Sequence, residues 1–349
     1  MDMILNSLPS RTWNRLGINE STVSIEDTCN SFTPQTDWNN SAVHWLPKAG
    51  QAQNWPEMAT GMGKDMSSFT QNTPADVIEA DPGAQVSDPV LLHYSYQNHE
   101  KSVSRLHIHA GKESSVSVIL FLESAGRGDD GISAIQTEMY AEEGAQIHLF
   151  VIQLLGSHVL CFNDIGGICE KNASIELTKL ELGSGKNYSG AMIDLKGRES
   201  NFSADVGYHV RENQLLDMNY VTIHHGVKSN SLMEFSGTLE EGAHKAFRGT
   251  IDLQKGCQGA KGTENENVLL LGDKMVNQTI PLILCKEEDV EGNHGASIGR
   301  LDDKVLFYLG SRGMDEKSAQ QLIAHSRIEA ICDKIPDEKI RSAVQDFEL

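Results

Sequence analysis

GNHGASIGRLDDKVLFYLGSRG, residues Gly292–Gly313, is where the chain changes character. Upstream, back to Pro89, it reads as short β-type segments; downstream, to Leu349, the pattern is helical. Gly292, Gly295 and Gly299 surround His294 and permit tight turns and close backbone approach. Asp302 can cap a helix, Val305, Leu306 and Leu309 give that helix one apolar face, and Gly313 can end it. The stretch reads as a hinge from β to helix.

Working upstream, the period is two. RLHIHA (105–110), SVSVILFLES (115–124), AQIHLFVIQLL (145–155), ASIELTKLEL (173–182) and SLMEFSGTLE (231–240) alternate or run continuously apolar between Gly, Asn, Ser and Asp. Small-residue turns precede strands at Gly144 and Ala145, Asn172 and Ala173, Ser200 and Asn201, Ser229 and Asn230, and Gln258 and Gly259, about 28 residues apart. A second punctuation falls between them, at LGSGKN, VRENQ and EEGAHK. A repeat of this size with strands and no helices fits the stacked coils of a parallel β-helix. An antiparallel sandwich also yields many short strands. The pattern leaves both open.

Working downstream, Asp315 and Glu316 open a helix carrying Ala319, Leu322, Ile323, Ala330 and Ile331. Pro336 starts a last helix, with Asp337 and Glu338 suited to its N-terminal dipole. Ile340, Ala343, Val344 and Phe347 recur at i, i+3, i+4 and i+7, an apolar stripe. Such a pair can cap the open end of a β-core or dock another subunit.

Residues 1–85 form a third zone, which holds all four tryptophans (Trp13, Trp38, Trp45, Trp55) among polar, glycine-containing connections. It reads as an irregular segment laid over the core with tryptophan anchors. TGMGK (60–64) and GSGKN (183–187) resemble phosphate loops only superficially. Lys64 is followed by Asp65, Lys186 by Asn187 in place of Ser or Thr, and the glycine spacing is wrong in both.

The 349 residues suffice for one to three domains and a sizeable core. Forty-nine acidic against 29 basic residues leave a formal charge of −20, which repels nucleic acid and anionic lipid. MDMILNSLPSRTWNRL has no basic leader before an apolar region, and no run approaches the roughly 18 apolar residues of a membrane span. A soluble, cytoplasmic protein is expected. The six cysteines never form CxxC, so they read as thiols, mostly buried, and not as a zinc or four-cysteine cluster site.

Among single residues His294 stands out, since an imidazole between glycines can bind iron or carry a proton; by itself it also reads as a turn histidine bonded to nearby backbone. His107 and His109 share a strand face but lack a third ligand, and with His224 and His225 they read as strand residues. Cys285, in IPLILC, reads as buried and inert; Cys257, in KGCQGAKG, as more exposed, with a structural role.

HGASIGRLDDKVLFYLGSRG resembles the C-terminal signature of the SufB/SufD family, scaffold subunits of the Suf iron–sulfur cluster assembly machinery. The likeness continues upstream through NVLLLGDKMVNQTIPLILCKEEDV (267–290) and downstream through KSAQQLI (317–323). PSRTWNRLGINES (9–21) is similar to the opening of SufD-type members, though this region is shorter than in larger relatives that carry a helical domain there. His294, Gly295 and Ala296 stand where SufB reads His-Glu-Ala, and Glu266 where SufB carries its essential cysteine. Gly292 replaces a cysteine common in SufD, which excludes a thiol role there. The resemblance is therefore SufD-like.

It implies a mainly β chain: an N-terminal segment (1–85), a right-handed parallel β-helix core (86–299) and a C-terminal α-helical ATPase-docking subdomain (300–349). It also implies a non-catalytic scaffold that pairs with a SufB-like paralogue, or with itself as a homodimer, and docks SufC, an ABC-type ATPase. The nascent cluster would form at the interface near His294 and Glu266, with His294 as a transient iron ligand. SufC would dock on Leu306, Leu309, Leu322, Ile323, Ile340 and Phe347. No cofactor would be bound stably by this chain, and the complex could carry a flavin. Two other readings are a SufB-like scaffold that holds the cluster itself and a β-helical enzyme acting on polysaccharide. The latter would want aromatic residues along the repeat, where no tryptophan lies.

Overall fold

The computed structural model describes residues 1–349 except 12–13, 26–27, 51–54 and 349, with the backbone alone at 348. The N-terminal zone holds β1 (Asp2–Leu5), β2 (Ser21–Ser24), β3 (Asn30–Ser31), β4 (Val43–Leu46), α1 (Lys64–Thr70) and β5 (Ala75–Ala80). The repeat region comprises β6 (Val90–Tyr96), β7 (Glu100–Ala110), β8 (Ser115–Ser124), β9 (Asp130–Ala141), β10 (Gln146–Leu154), β11 (His158–Cys169), β12 (Ser174–Glu181) and β13 (Lys186–Leu195). It continues with β14 (Asn201–Val210), β15 (Leu215–His224), β16 (Asn230–Glu240), β17 (His244–Leu253), β18 (Ala260–Leu271), β19 (Val276–Cys285) and β20 (Val290–Gly299). Three helices follow: α2 (Asp303–Ser311), α3 (Glu316–Cys332) and α4 (Glu338–Glu348).

Even-numbered strands from β6 to β20 form one eight-stranded sheet; the odd-numbered strands from β5 to β19, with β3 and β4, form a ten-stranded one. From β5 and β6 onward successive strands within each sheet pair in parallel, so each rung contributes one strand to each wall. The result is a parallel β-solenoid of about eight turns. The parallel pairing removes the sandwich alternative. Alternation explains the core: Ile147, Leu149 and Val151 point inward and stack on Val116, Val118 and Leu120 of the rung before. This is how parallel strands with one face toward a lumen and another toward covering elements become buried on both sides.

One corner sets the pitch. Gly83, Glu113, Gly144, Asn172, Glu199, Lys228 and Gly259 all take left-handed φ, between 57° and 75°. The N–H of each donates to a carbonyl one rung further on: Glu113 to Glu143 at 3.0 Å, Asn172 to Arg198 and Lys228 to Gln258 at 2.9 Å. The small-residue turns of the sequence lie at this corner.

The outer faces are covered differently. Met3, Leu5, Val23, Met62 and Met66 pack with Phe162 and Tyr188 on the ten-stranded wall. Leu8 and Ile18 reach Ile280 of β19. Arg248 pins this segment, paired with Asp217 at 2.7 Å and donating to the Ile18 carbonyl. The segment is thus laid over the core as expected, but β5 already belongs to the solenoid ahead of residue 86. Trp38 and Trp45 pack against the core, Trp55 stacks on His107 at 4.4 Å, and Trp13 lies outside the described residues. On the eight-stranded wall, Ile328, Ile331, Ile335, Ile340 and Val344 of the helical region cover Ile119, Phe150, Ile152 and Leu180.

Close stacking at the corner has a measurable signature. A Cβ on Gly226 would lie 1.8 Å from the Gly197 carbonyl oxygen, whereas one on Gly128 would meet nothing within 4 Å. Gly226→Ala is expected to lower stability by about 2–3 kcal/mol, the cost of overpacking a rigid site. Gly128→Ala should stay within about 0.5 kcal/mol of the parent in the same urea titration.

Candidate functional site

The two ends of the solenoid differ. At the N-terminal end both sheet edges are covered: β4 pairs antiparallel with β5, and Gln35 bridges His93 of β6 with two backbone hydrogen bonds of 2.9 Å. At the other end, among the described residues, β19 pairs only with β17 and β20 only with β18. Glu291–Gly299 is exposed throughout. An uncovered parallel edge is a template for strand addition.

His294 lies in the middle of this edge strand. Gly292, Gly295 and Gly299 do not turn the chain there: all three sit within β20, none with left-handed φ. The expected hinge is thus corrected to an extended last rung, with the change to helix at Asp302, which caps α2 by accepting from the Lys304 N–H. Gly313 follows that helix with φ 88°, as its position suggested.

Behind the rim, register places His294 beside Glu264 and Ala296 beside Glu266. The inward column that reads Val118, Leu149, Leu177, Ala204, Met233 through successive rungs ends in Glu264 and His294. Glu264 and Glu266 share the buried phase of Gly262 and Val268, while Lys261, Asn265 and Asn267 face out. Glu266 is held on three sides: it pairs with Lys245, and accepts from Tyr208 Oη at 2.9 Å and Thr279 Oγ1 at 2.6 Å. Lys245 also donates to Thr279 Oγ1 at 3.1 Å.

Glu264 is 2% exposed and makes no hydrogen bond to a described residue. Gly249 makes room for it, since a Cβ there would lie 2.0 Å from Glu264 Oε2. Burial, and then the Glu266 charge, push the Glu264 carboxyl up to about 8 against the pull of Lys245. Burial likewise lowers the Lys245 ammonium although Glu266 opposes it. One cation thus serves two buried carboxyls, and Glu264 holds a proton at neutral pH. A second buried pair, Lys179 and Glu181 at 2.9 Å, lies deeper in the lumen, where Lys179 also donates to Ser189. The mouth therefore offers an imidazole at its rim, a proton-holding carboxyl beside it and a locked ion pair behind.

Sequence reasoning named His294 and Glu266, and the structure brings them to adjacent rungs. It missed Glu264 and Lys245. The signal was present: ENEN (264–267) precedes VLLL in a strand of period two, so the two glutamates share the phase of Val268.

The predicted docking residues divide. No residue of α2 is buried; Leu306 and Leu309 are half-buried, and Phe307 (79% exposed) and Tyr308 (56%) stand out beside them. Leu322 on α3 is exposed and Ile323 half-buried. Ile340 and Phe347 are corrected: Ile340 is buried, and both pack on the chain's own eight-stranded wall, because the apolar stripe of α4 covers that sheet.

The cysteines reverse the expectation. Cys257 is buried at an inward corner position, and Cys285 is exposed, since β19 has no further rung to cover it. His107 is buried against Glu138 at 2.8 Å, and His224 between Ser229 and Ser231, where burial lowers its pKa to about 4. TGMGK lies against β11, with the Met62 N–H on Asp164 Oδ1 at 2.8 Å, and GSGKN is the turn from β12 to β13. Among the described residues no three His, Cys, Asp or Glu side chains converge as a metal site. No described helix is long and apolar enough to cross a membrane.

The sign of the Glu264 effect is fixed. Its folded pKa of about 8 lies above the ordinary 4.5, so folding takes up a proton and stability falls as pH rises through that window. Glu264→Gln removes this loss. Its urea midpoint should exceed that of the parent by the equivalent of about 4 kcal/mol at pH 9 and lie close to it near pH 5.

Residues 93–327 match the family model described as "SUF system FeS cluster assembly, SufBD core domain". The chain is 24% identical over 259 residues to the iron–sulfur cluster assembly protein SufD of Bacillus subtilis, covering 74% of this chain and 59% of that one. It is 25% identical over 188 residues to SufD of Escherichia coli (54% and 44%), and 21% over 257 residues to SufB of Bacillus subtilis (73% and 55%). In each case it spans less than two thirds of the relative's length.

Proposed function

Because this chain belongs to the SufBD core family of the SUF iron–sulfur cluster assembly system, and is SufD-like within it, we propose that it is a non-catalytic scaffold. In this reading it pairs through its last rung with a SufB-like partner and docks the ATPase SufC on α2. The observation that carries the reading is the asymmetry of the solenoid among the described residues: both edges are paired at one end and neither at the other. β19 and β20 present free backbone donors and acceptors, with Val276 and Ile298 as exposed apolar side chains on the two strands. Strand addition there would complete both sheets at once.

His294 sits at the centre of that surface. As a lone histidine it supplies one ligand to a nascent cluster, and the remaining ligands would come from the partner. Glu266, held by Lys245, Tyr208 and Thr279, positions the lumen behind the rim and stays out of the ligand set. This disfavours the alternative of a SufB-like chain that holds the cluster alone.

The exposed side of α2, with Phe307 and Tyr308 joining Leu306 and Leu309, supports docking of SufC there. Ile340 and Phe347 act indirectly, by seating the helices on the sheet. Removal of all the helices would uncover the apolar wall of Ile119, Phe150 and Leu180, so point variants separate the roles better than truncation does.

The test is co-purification with SufB and SufC candidates from the same genome. Phe307→Glu with Tyr308→Glu should weaken SufC capture at least about tenfold and leave SufB pairing intact, as expected for loss of anchor residues. Val276→Lys with Ile298→Lys should do the reverse, because charge on a free edge opposes strand pairing. Wild-type chain that captures neither partner would overturn the proposal.

A further inference from the structure

A groove of about 830 Å³ lies between α3 and the outer face of the last rungs of the eight-stranded wall. That size falls in the range of small-molecule sites. The sequence explains why it opens there. The outward row beneath the helix runs Leu180, Gly207, Ser236, Asn267, Ser297 in register from β12 to β20. Ile328 and Ile331 seat α3 on the first two of these, and the seam turns polar beyond them. The neighbouring outward row, Asp205, Glu234, Asn265 and Gly295, completes the floor. One face of α3, with Arg327, Ala330 and Lys334, forms the wall.

The charges of this groove are only partly matched. Lys334 pairs with Asp205 at 2.8 Å. Arg327 donates to neutral groups alone, the Asn267 carbonyl at 3.3 Å and Asn267 Oδ1 at 3.0 Å. Burial lowers its pKa, as befits a guanidinium half out of water with no carboxylate beside it. Glu234 faces the same groove, exposed, and makes no hydrogen bond or ion pair with a described residue. Its register partner is Asn265, two residues from Asn267. Strand geometry therefore sets Glu234 about 8 Å from Asn267 between Cα atoms. A half-buried cation and a free carboxylate stand across a gap lined by Ser236 and Asn265. A guanidinium fork takes a carboxylate in two hydrogen bonds, and the carboxylate of Glu234 takes an ammonium.

We propose that this groove binds a small zwitterion of the amino-acid type, either a free amino acid or a short peptide. Its carboxylate would take the Arg327 fork and its ammonium the Glu234 carboxylate, with its remaining polar groups along Ser236 and Asn265. Such a ligand would tie α3 to the last rungs of the sheet. The inference is independent of the scaffold reading, because it uses the outward face of β16 and β18 and neither His294, the β20 edge nor α2.

Calorimetric titration of the full chain with glycine and with triglycine tests it. One saturable site is expected, and the tighter of the two ligands tells a free amino acid from a peptide. Blocking that ligand by N-acetylation or as its C-terminal amide should each weaken binding about tenfold, the scale of one charge-assisted contact. Arg327→Gln and Glu234→Gln should do the same. Each variant should also lose its response to the matching block, the amide for Arg327→Gln and the acetyl group for Glu234→Gln, which a merely structural role would not produce. Because Arg327 also holds Asn267, a second kind of variant is needed. Ala330→Trp fills the groove from an exposed position on α3 and should abolish binding with an unchanged melting temperature. No binding of either ligand, equal binding of blocked and free ligand, or equal binding by Ala330→Trp and the parent would sink the proposal.

Discussion

Every rung of this molecule depends on one backbone event, repeated at the same corner. A residue turns left-handed and gives its N–H to the carbonyl of the next rung. For an L-residue that conformation costs roughly 1–2 kcal/mol, and Glu113, Glu199 and Lys228 accept it because their side chains are exposed and free of the core. The hydrogen bond recovers part of the cost. The larger return is register: once the corner repeats, the inward side chains of each strand fall on those of the strand before. Val116, Ile147, Ile175 and Phe202 form one such column. A slip of one residue anywhere would turn a whole row from the lumen to the outside.

Stacking also dictates where function can lie. A solenoid rung contacts only its neighbours, so the middle of the coil is committed to holding itself together and the ends are not. Here the chain treats the ends unequally. The N-terminal segment first reaches Ile280 of β19 through Leu8 and Ile18, then supplies Gln35 and β4 to close the first rungs; none of its described residues pairs with the β19 edge. The helices cover the outside of the eight-stranded wall and leave β20 bare.

The sequence made the rungs legible because period-two alternation and corner punctuation are local signals. ASIELTKLEL shows its inward row, Ile175 and Leu177, by inspection. It could not separate parallel from antiparallel pairing, since that depends on which strands meet; the family likeness supplied the parallel answer. The last rung was misread for a related reason. GNHGASIG has the composition of a turn, yet all eight of its residues pair with β18, because the partner strand and the preceding corner fix its conformation. Cys257 and Cys285 were misplaced because their burial depends on whether another rung follows. Ile340 and Phe347 were read correctly as an apolar stripe, but a stripe does not say whether it faces the chain's own sheet or a partner. Glu264 needed only the strand phase to be extended by four residues.

The change in the lumen is the last link. Through five rungs one inward column is Val118, Leu149, Leu177, Ala204 and Met233, and its final two members are Glu264 and His294. Apolar residues there would bury more cheaply, since a buried ion pair gives little net stability and an unpartnered carboxyl weakens the fold. Stability alone therefore does not account for ionisable groups at the mouth. Nor does solubility: Glu264, Glu266 and Lys245 are all buried and do nothing to hydrate the edge. What they do provide is a polar, proton-holding surface directly behind a strand edge that is ready to pair. Under the proposed pairing, strand addition at that edge would carry His294 from solvent into the same low-dielectric setting. On that proposal the free edge and the ionisable lumen are one feature: a surface whose chemistry would be completed by what pairs with it.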